Sequence, residues 1–198
     1  MKCLIKIFAL FVFISCTKST DSDKTLVAWV HLTDSVNMEG SVITIQDGKR
    51  FDGIHLSLEN GGTWIAGSEN NNRTLISKGI PVSKLNREEL IQLAIVYIDS
   101  EIRMYRNGKL ESSYPVENID ILSSNKNYVL FGIDHFDGTA NMSEMIEDAR
   151  IYSRALTGSE IKSLSPNKAS TGDLYAWWDF EDEKISEKTG KFTYHYKY

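Results

Sequence analysis

The stretch from Trp64 to Thr74, Trp-Ile-Ala-Gly-Ser-Glu-Asn-Asn-Asn-Arg-Thr, concentrates the groups of this chain best able to do chemistry. A planar aromatic can stack on the face of a sugar ring, while amides, hydroxyls and guanidinium groups meet its hydroxyls. Trp64 offers the first; Ser68, Asn70, Asn71 and Arg73 offer the second. The same residues fit a blander arrangement, with Trp64 in a core and the asparagines forming a polar turn. Exposure of Trp64 decides between the two.

A second group is Asp134-His-Phe-Asp-Gly138. Asp134 and Asp137, with backbone carbonyls, have the hard oxygens that calcium takes. Equally, Asp-Gly closes a tight loop without any metal. His135 can stack or hydrogen-bond at a sugar site, or lie on a polar surface. Catalysis finds less support. Glu144 and Glu147 are three residues apart, so a strand sends them to opposite faces, whereas a retaining glycosidase pair must sit about 5 Å apart. Glu147 and Asp148 read as solvated strand positions. H-E-x-x-H, G-x-S-x-G and P-loop patterns do not occur, and the expectation is a protein that is not an enzyme.

The elements that must hold these groups are short strands at steady spacing. Apolar alternation marks strands over 25–32, 41–46, 53–58 and 63–66, where Ile54, Leu56 and Leu58 alternate with His55 and Ser57. The run 90–98 is the most apolar and suits a central strand buried on both faces. Asn107-Gly108 favours the type I′ turn of a hairpin between 101–105 and 109–114. A further strand spans 128–133. Ile146, Ala149 and Ile151 then alternate with charges before the period changes. Thr157 with Glu160 forms a capping box, Leu156 staples onto Ile161, and Ser165-Pro166 stops a short helix near 158–164.

The run Ile146-Glu-Asp-Ala-Arg-Ile-Tyr-Ser-Arg-Ala-Leu-Thr-Gly-Ser-Glu-Ile161 resembles the closing motif of laminin-G-like, concanavalin A-like jelly-roll domains: an I-D-E-V-R-I-Y strand, then R-A-L-S-x-x-E-I. That resemblance implies an all-β fold, a two-sheet antiparallel β-sandwich often associated with carbohydrate. Trp64 to Thr74 is likewise similar to a W-M-A-G-S-x-x-x-x-R-T segment of sugar-active, fructan-hydrolase-like proteins. The fold also hosts glycanases and plain spacers, so function has to be argued from the site.

Composition agrees with a soluble globular domain. The chain has 198 residues, 41% hydrophobic and 25% charged, and a formal charge of −5, which argues against nucleic acid as partner. Lys2, Lys6 and an apolar run from Ile7 to Ile14 make residues 1–15 a signal peptide. Phe13-Ile-Ser-Cys16 resembles a bacterial lipobox, with Phe13 where Leu is usual, and 16–24 a polar tether; the alternative is a plain secretion signal with a chance cysteine. Lipidation of Cys16 would put the protein on the bacterial cell envelope. With Cys3 gone, one cysteine remains and no disulfide forms. The sandwich is expected over 25–166. Residues 167–198 then read as a linker and a strand completing the sandwich, with Leu174, Ala176, Trp178 and Phe180 on one face and Tyr175, Trp177 and Asp179 on the other. Their rival reading is the opening of a second laminin-G-like domain. Two functions fit: a glycan-binding or adhesion module, or an accessory domain that positions a partner glycoside hydrolase without a ligand of its own.

Overall fold

A computed structural model describes residues 23–31, 39–82, 89–117, 128–134, 146–170, 173–182 and 184–189. Two antiparallel sheets face each other. One holds seven strands: β1 (Lys24–His31), β6 (Leu90–Ile98), β7 (Glu101–Arg106), β8 (Lys109–Pro115), β10 (Ile146–Tyr152), β11 (Leu174–Asp182) and β12 (Lys184–Glu187). They lie in the order β12-β11-β10-β1-β6-β7-β8. The other holds five: β2 (Gly40–Asp47), β3 (Arg50–Ser57), β4 (Thr63–Ser68), β5 (Ile80–Pro81) and β9 (Tyr128–Leu130), in the order β5-β4-β3-β2-β9. This is the concanavalin A-like β-sandwich with one short helix, α1 (Gly158–Ser163).

Alternating side chains fill the space between the sheets. Leu26, Ala28 and Val30 of β1 meet Ile43, Ile54, Leu56 and Trp64 of the opposite sheet in one buried cluster. A second cluster lies on the outside of the seven-stranded sheet, where Val27, Trp29, Ala94, Val96, Tyr105 and Tyr152 are covered by Leu156 and Ile161. α1 and its flanks therefore form a third layer. This is why β1 and β6 bury both faces: Leu26–Val30 of β1 and Leu93–Ile98 of β6 are each apolar without a break, as such burial usually requires.

Local signals place several elements. Thr157 Oγ1 accepts from the Glu160 N–H at 3.3 Å and Glu160 Oε2 accepts from the Thr157 N–H at 2.8 Å, completing the capping box. Asn107 and Gly108 take φ of 50° and 73°, the left-handed pair a type I′ turn needs. β3 starts earlier than its apolar alternation suggests, because Asp47 pairs directly with Arg50 across the tight turn. β1 takes in Lys24, which the sequence reading gave to the tether; its ammonium group is wanted inside, 2.8 Å from Asp52 Oδ2.

β11 pairs antiparallel with β10, matching Ala149 to Trp178 and Arg150 to Trp177. Its alternation delivers Ala176 and Trp178 to the main core, where Phe131 packs edge-on to Trp178 and Phe180 with ring centroids 5.0 and 5.2 Å away.

Candidate functional site

Trp64 cannot be a sugar platform. Opposite Leu56 on β4, it points between the sheets and is 0% exposed. Its phase follows from pairing: Ala66 lies opposite Ile54 and Ser68 opposite Asp52, so every second residue of β4 from Trp64 on turns inward. Ser68 is buried too, accepting from the Arg73 N–H at 2.9 Å and sharing a hydrogen bond with Thr74 Oγ1.

Arg73 also turns inward, 7% exposed. Its Nε and Nη2 donate to Asp52 Oδ1 at 3.1 and 2.8 Å, its Nη1 and Nη2 to the two oxygens of Glu69 at 2.9 Å each, and Nη2 also to the Phe51 carbonyl at 2.9 Å. Asp52 is closed on its other side by Lys24, whose ammonium sits 4.4 Å from the Tyr97 ring centroid. Burial works to lower the Arg73 pKa, but the Glu69 hydrogen bonds and the Asp52 charge outweigh it and hold the guanidinium above its usual range. Burial likewise opposes ionisation of Glu69, and the hydrogen bonds from Arg73 and the Phe51 N–H prevail, keeping it low. Arg73 is thus a clamp, its guanidinium held between Asp52, Glu69 and the Phe51 carbonyl.

What the clamp presents is a knuckle. Glu69, Asn70 and Asn71 form a single 3₁₀ turn in which Asn70 and Asn71 take φ of 48° and 55°. Asparagine tolerates this left-handed region better than most residues. The Asn72 and Thr74 N–H groups close onto the carbonyls of Glu69 and Asn71, and Asn70, Asn71 and Asn72 stand exposed.

The knuckle adjoins a face that sequence reasoning missed. Pairing of Tyr128 with Gln46, and of Gln46 with Phe51, sets these three in a row across β9, β2 and β3 on the outside of the five-stranded sheet. The row runs on to Glu69, whose Oε2 accepts from the Phe51 N–H at 3.1 Å. Tyr128 is 52% exposed and Phe51 half-buried. The next row is low: Thr44 pairs with Gly53, and Gly53 with Gly67. A Cβ on Gly67 would come within 2.8 Å of His55 Cβ and 3.6 Å of Phe51 Cε2, so glycine lets these two side chains close in. Beyond lies His55, sharing a hydrogen bond of 3.2 Å with Ser41 Oγ and standing 3.8 Å from Glu39. Burial pushes its pKa below the usual value, against the pull of Asp134 and Glu39. The one available signal was the outward phase of His55 against Ile54 and Leu56; Phe51 and Tyr128 had none, since their face depends on register.

Asp134 is half-buried and its charge bears on His55. His135, Asp137 and Cys16 lie outside the described residues. Among the described residues no group of three or more potential ligands converges on a metal position, and calcium plays no part in the reading below.

Asp148 is not solvated but fully buried, a correction to the sequence reading. It holds Arg150 through two bonds of 2.8 Å and accepts from Trp177 Nε1 at 2.9 Å and the Asn167 N–H at 2.8 Å. Arg150 lies between the rings of Trp29 and Trp177, 4.9 Å from each centroid. Glu147 accepts from Asn167 Nδ2 at 2.7 Å. This part of the closing motif pins three strands and a loop together, and neither acid is set up for acid–base work.

The sandwich, its helical layer and the closing motif define a class. Residues 12–162 match the model of the concanavalin A-like lectin/glucanases superfamily, and the chain belongs to that superfamily. Both β11 and β12 lie beyond the matched span. No curated protein matches the chain. Among solved structures, a protein of Bacteroides ovatus described as carbohydrate-binding shares 15% identity at a TM-score of 0.60, over 86% of this chain and 50% of that one. This chain therefore spans half the length of that relative. Domain 4 of a GH43 extracellular arabinanase from Geobacillus stearothermophilus, solved with arabinotriose, shares 17% identity at 0.52, over 74% and 67%. A leech intramolecular trans-sialidase shares 19% at 0.53, over 78% and 25%. At these identities the likeness is one of fold.

Proposed function

We propose that this chain is a non-catalytic carbohydrate-binding module whose glycan site is the outer face of the five-stranded sheet. Tyr128 and Phe51 serve as stacking surfaces and the asparagine knuckle as a hydrogen-bonding rim. One observation carries the reading: exposed Tyr128 and half-buried Phe51 flank Gln46 in a row that ends at exposed amides, which a buried ion network holds in a fixed, left-handed conformation. Preorganised amides lose little freedom when they meet sugar hydroxyls. The arabinotriose on a domain of the same fold lends support. Against catalysis stands Glu69, the carboxylate nearest the row. Both of its oxygens are engaged and its pKa is held low, the opposite of what a general acid requires.

A glycan array tests this. Wild-type protein should retain at least one glycan and Tyr128→Ala should lose most of the signal. An array without a hit would favour the alternative, an accessory domain that positions a glycoside hydrolase and has no ligand. The same proposal puts the protein on the bacterial cell envelope through lipid on Cys16, with residues 1–15 removed. Palmitate should label the wild type in a bacterial host and spare Cys16→Ala; equal labelling would end the anchoring idea.

A further inference from the structure

On the glycan-binding reading above, we infer that the site selects neutral glycans and rejects chains bearing carboxylate or sulfate. The charges around the aromatic row carry this. An anionic sugar needs a cation able to turn towards it, as guanidinium groups do when they bind carboxylates in a bidentate fork. Here the guanidinium bonded to the row's Phe51 carbonyl, that of Arg73, spends the rest of its fork on Asp52 and Glu69 and is 7% exposed. Arg50 is drawn to Asp47 at 3.3 Å. Lys49 stands in the turn beyond the strand ends.

Negative groups, by contrast, border the face on two sides. Glu69 closes one end of the row, its side chain 15% exposed and its charge balanced by Arg73, and Glu39 reaches His55 from the other edge, 54% exposed. Asp134 adds its charge beside His55. Burial lowers the pKa of His55 itself, against the pull of Asp134 and Glu39, and so disfavours a positive charge there. A carboxylated chain laid on this face would shed water beside like charges with no cation among the described residues turned to meet it, and desolvating an unpaired charge is costly. Hydroxyls of a neutral chain meet the knuckle amides at no such cost. The formal charge of −5 on the whole chain adds a repulsive approach.

The test uses the intact protein in affinity electrophoresis or calorimetry against arabinan, xylan, galactan and mannan. Whichever neutral chain binds best is then compared with its carboxymethylated form. We expect the carboxymethylated chain to bind about tenfold more weakly at low salt, with part of that loss recovered near 0.5 M salt, where the Debye length drops to a few ångströms. Exposed Glu39→Lys should narrow the gap several-fold while leaving the melting temperature in place. Equal binding of the two forms, or preference for polygalacturonate or a sulfated glycan, would overturn the selectivity while leaving glycan binding intact. Failure of every glycan, neutral and anionic, would overturn the binding reading and the selectivity with it.

Discussion

Arg73 carries a consequence that separates its two conceivable roles. A ligand-contacting arginine can be truncated with little effect on folding. A buried one leaves charges behind: without it Asp52 keeps Lys24 alone among the described cations, and Glu69 loses the partner that holds it ionised. Removing one partner of a buried ion pair typically costs about 3–5 kcal/mol. In a domain of this size that is a fall in melting temperature of roughly 6–20 °C. Arg73→Ala should show such a fall by calorimetry, and Arg73→Lys, which keeps the charge and loses the fork, an intermediate one. A melting curve unchanged by Arg73→Ala would refute the clamp. Asn71→Gly is the converse experiment, since glycine accepts φ of 55° and removes only the amide; it should weaken glycan binding several-fold with little change in melting. The sequence put Trp64, Ser68, Asn70, Asn71 and Arg73 together for good local reasons. It could not divide them into inward and outward sets, because that division is set by the pairing of β4 with β3 and by Asp52, 21 residues away.

At the scale of the element, what is encoded within a few residues was legible and what depends on distant partners was not. Helix α1 is the clearest case: Thr157, Glu160, Leu156 and Ile161 all act as their spacing implies. Arg154 was the part left unseen. It donates to Glu160 Oε1 at 2.7 Å, and this bond, with those from Thr157 and against the effect of burial, takes the Glu160 pKa from 4.5 to about 2. The folded state thus binds this proton less tightly than the unfolded state does. Its stabilisation is complete above about pH 4.5 and disappears as the pH falls towards 2. The effect is small because Glu160 is 40% exposed, on the scale of a helix cap, about 1 kcal/mol. Thermal melts between pH 5 and 2 should show wild type losing more stability than Glu160→Gln, with the two converging near pH 2. Parallel curves would mean the charge contributes nothing. β10 shows the opposite case. Its charged alternation suggests a half-solvated strand, yet Asp148 and Arg150 are 0% exposed, because Trp29 and Trp177 arrive from β1 and β11.

For the whole molecule, the decisive piece is a strand that lies beyond the family-matched span. β11 runs along β10, fills the main core with Ala176 and Trp178, and carries Trp177 onto Arg150 and Asp148. Its alternation was readable in Ala176 to Phe180, but Leu174, expected on the same face, packs on the outer cluster because the register shifts between Ile151 and Tyr152; its location was inferred from an edge that otherwise had no partner. Two rival accounts of the tail predict different behaviour when the chain is stopped after Pro166. If β11 is an integral strand, the cut strips one edge of the seven-stranded sheet to bare backbone, opens the core beside Phe131 and exposes a buried ion pair. Bare edges next to apolar surface favour aggregation, so the shortened protein should be insoluble or melt without a cooperative transition. If the tail belongs elsewhere, the cut should leave melting temperature and solubility as they were. Deletion alone could fail for want of solubility, so Trp178→Ala in the full chain gives a graded measure. Trp178 is 2% exposed, and emptying such a site costs about 3–5 kcal/mol. A matching loss from Trp178→Ala, beside a negligible one from exposed Tyr175→Ser on the opposite face of the same strand, would assign the stabilisation to the docked face; equal losses at both positions would refute it.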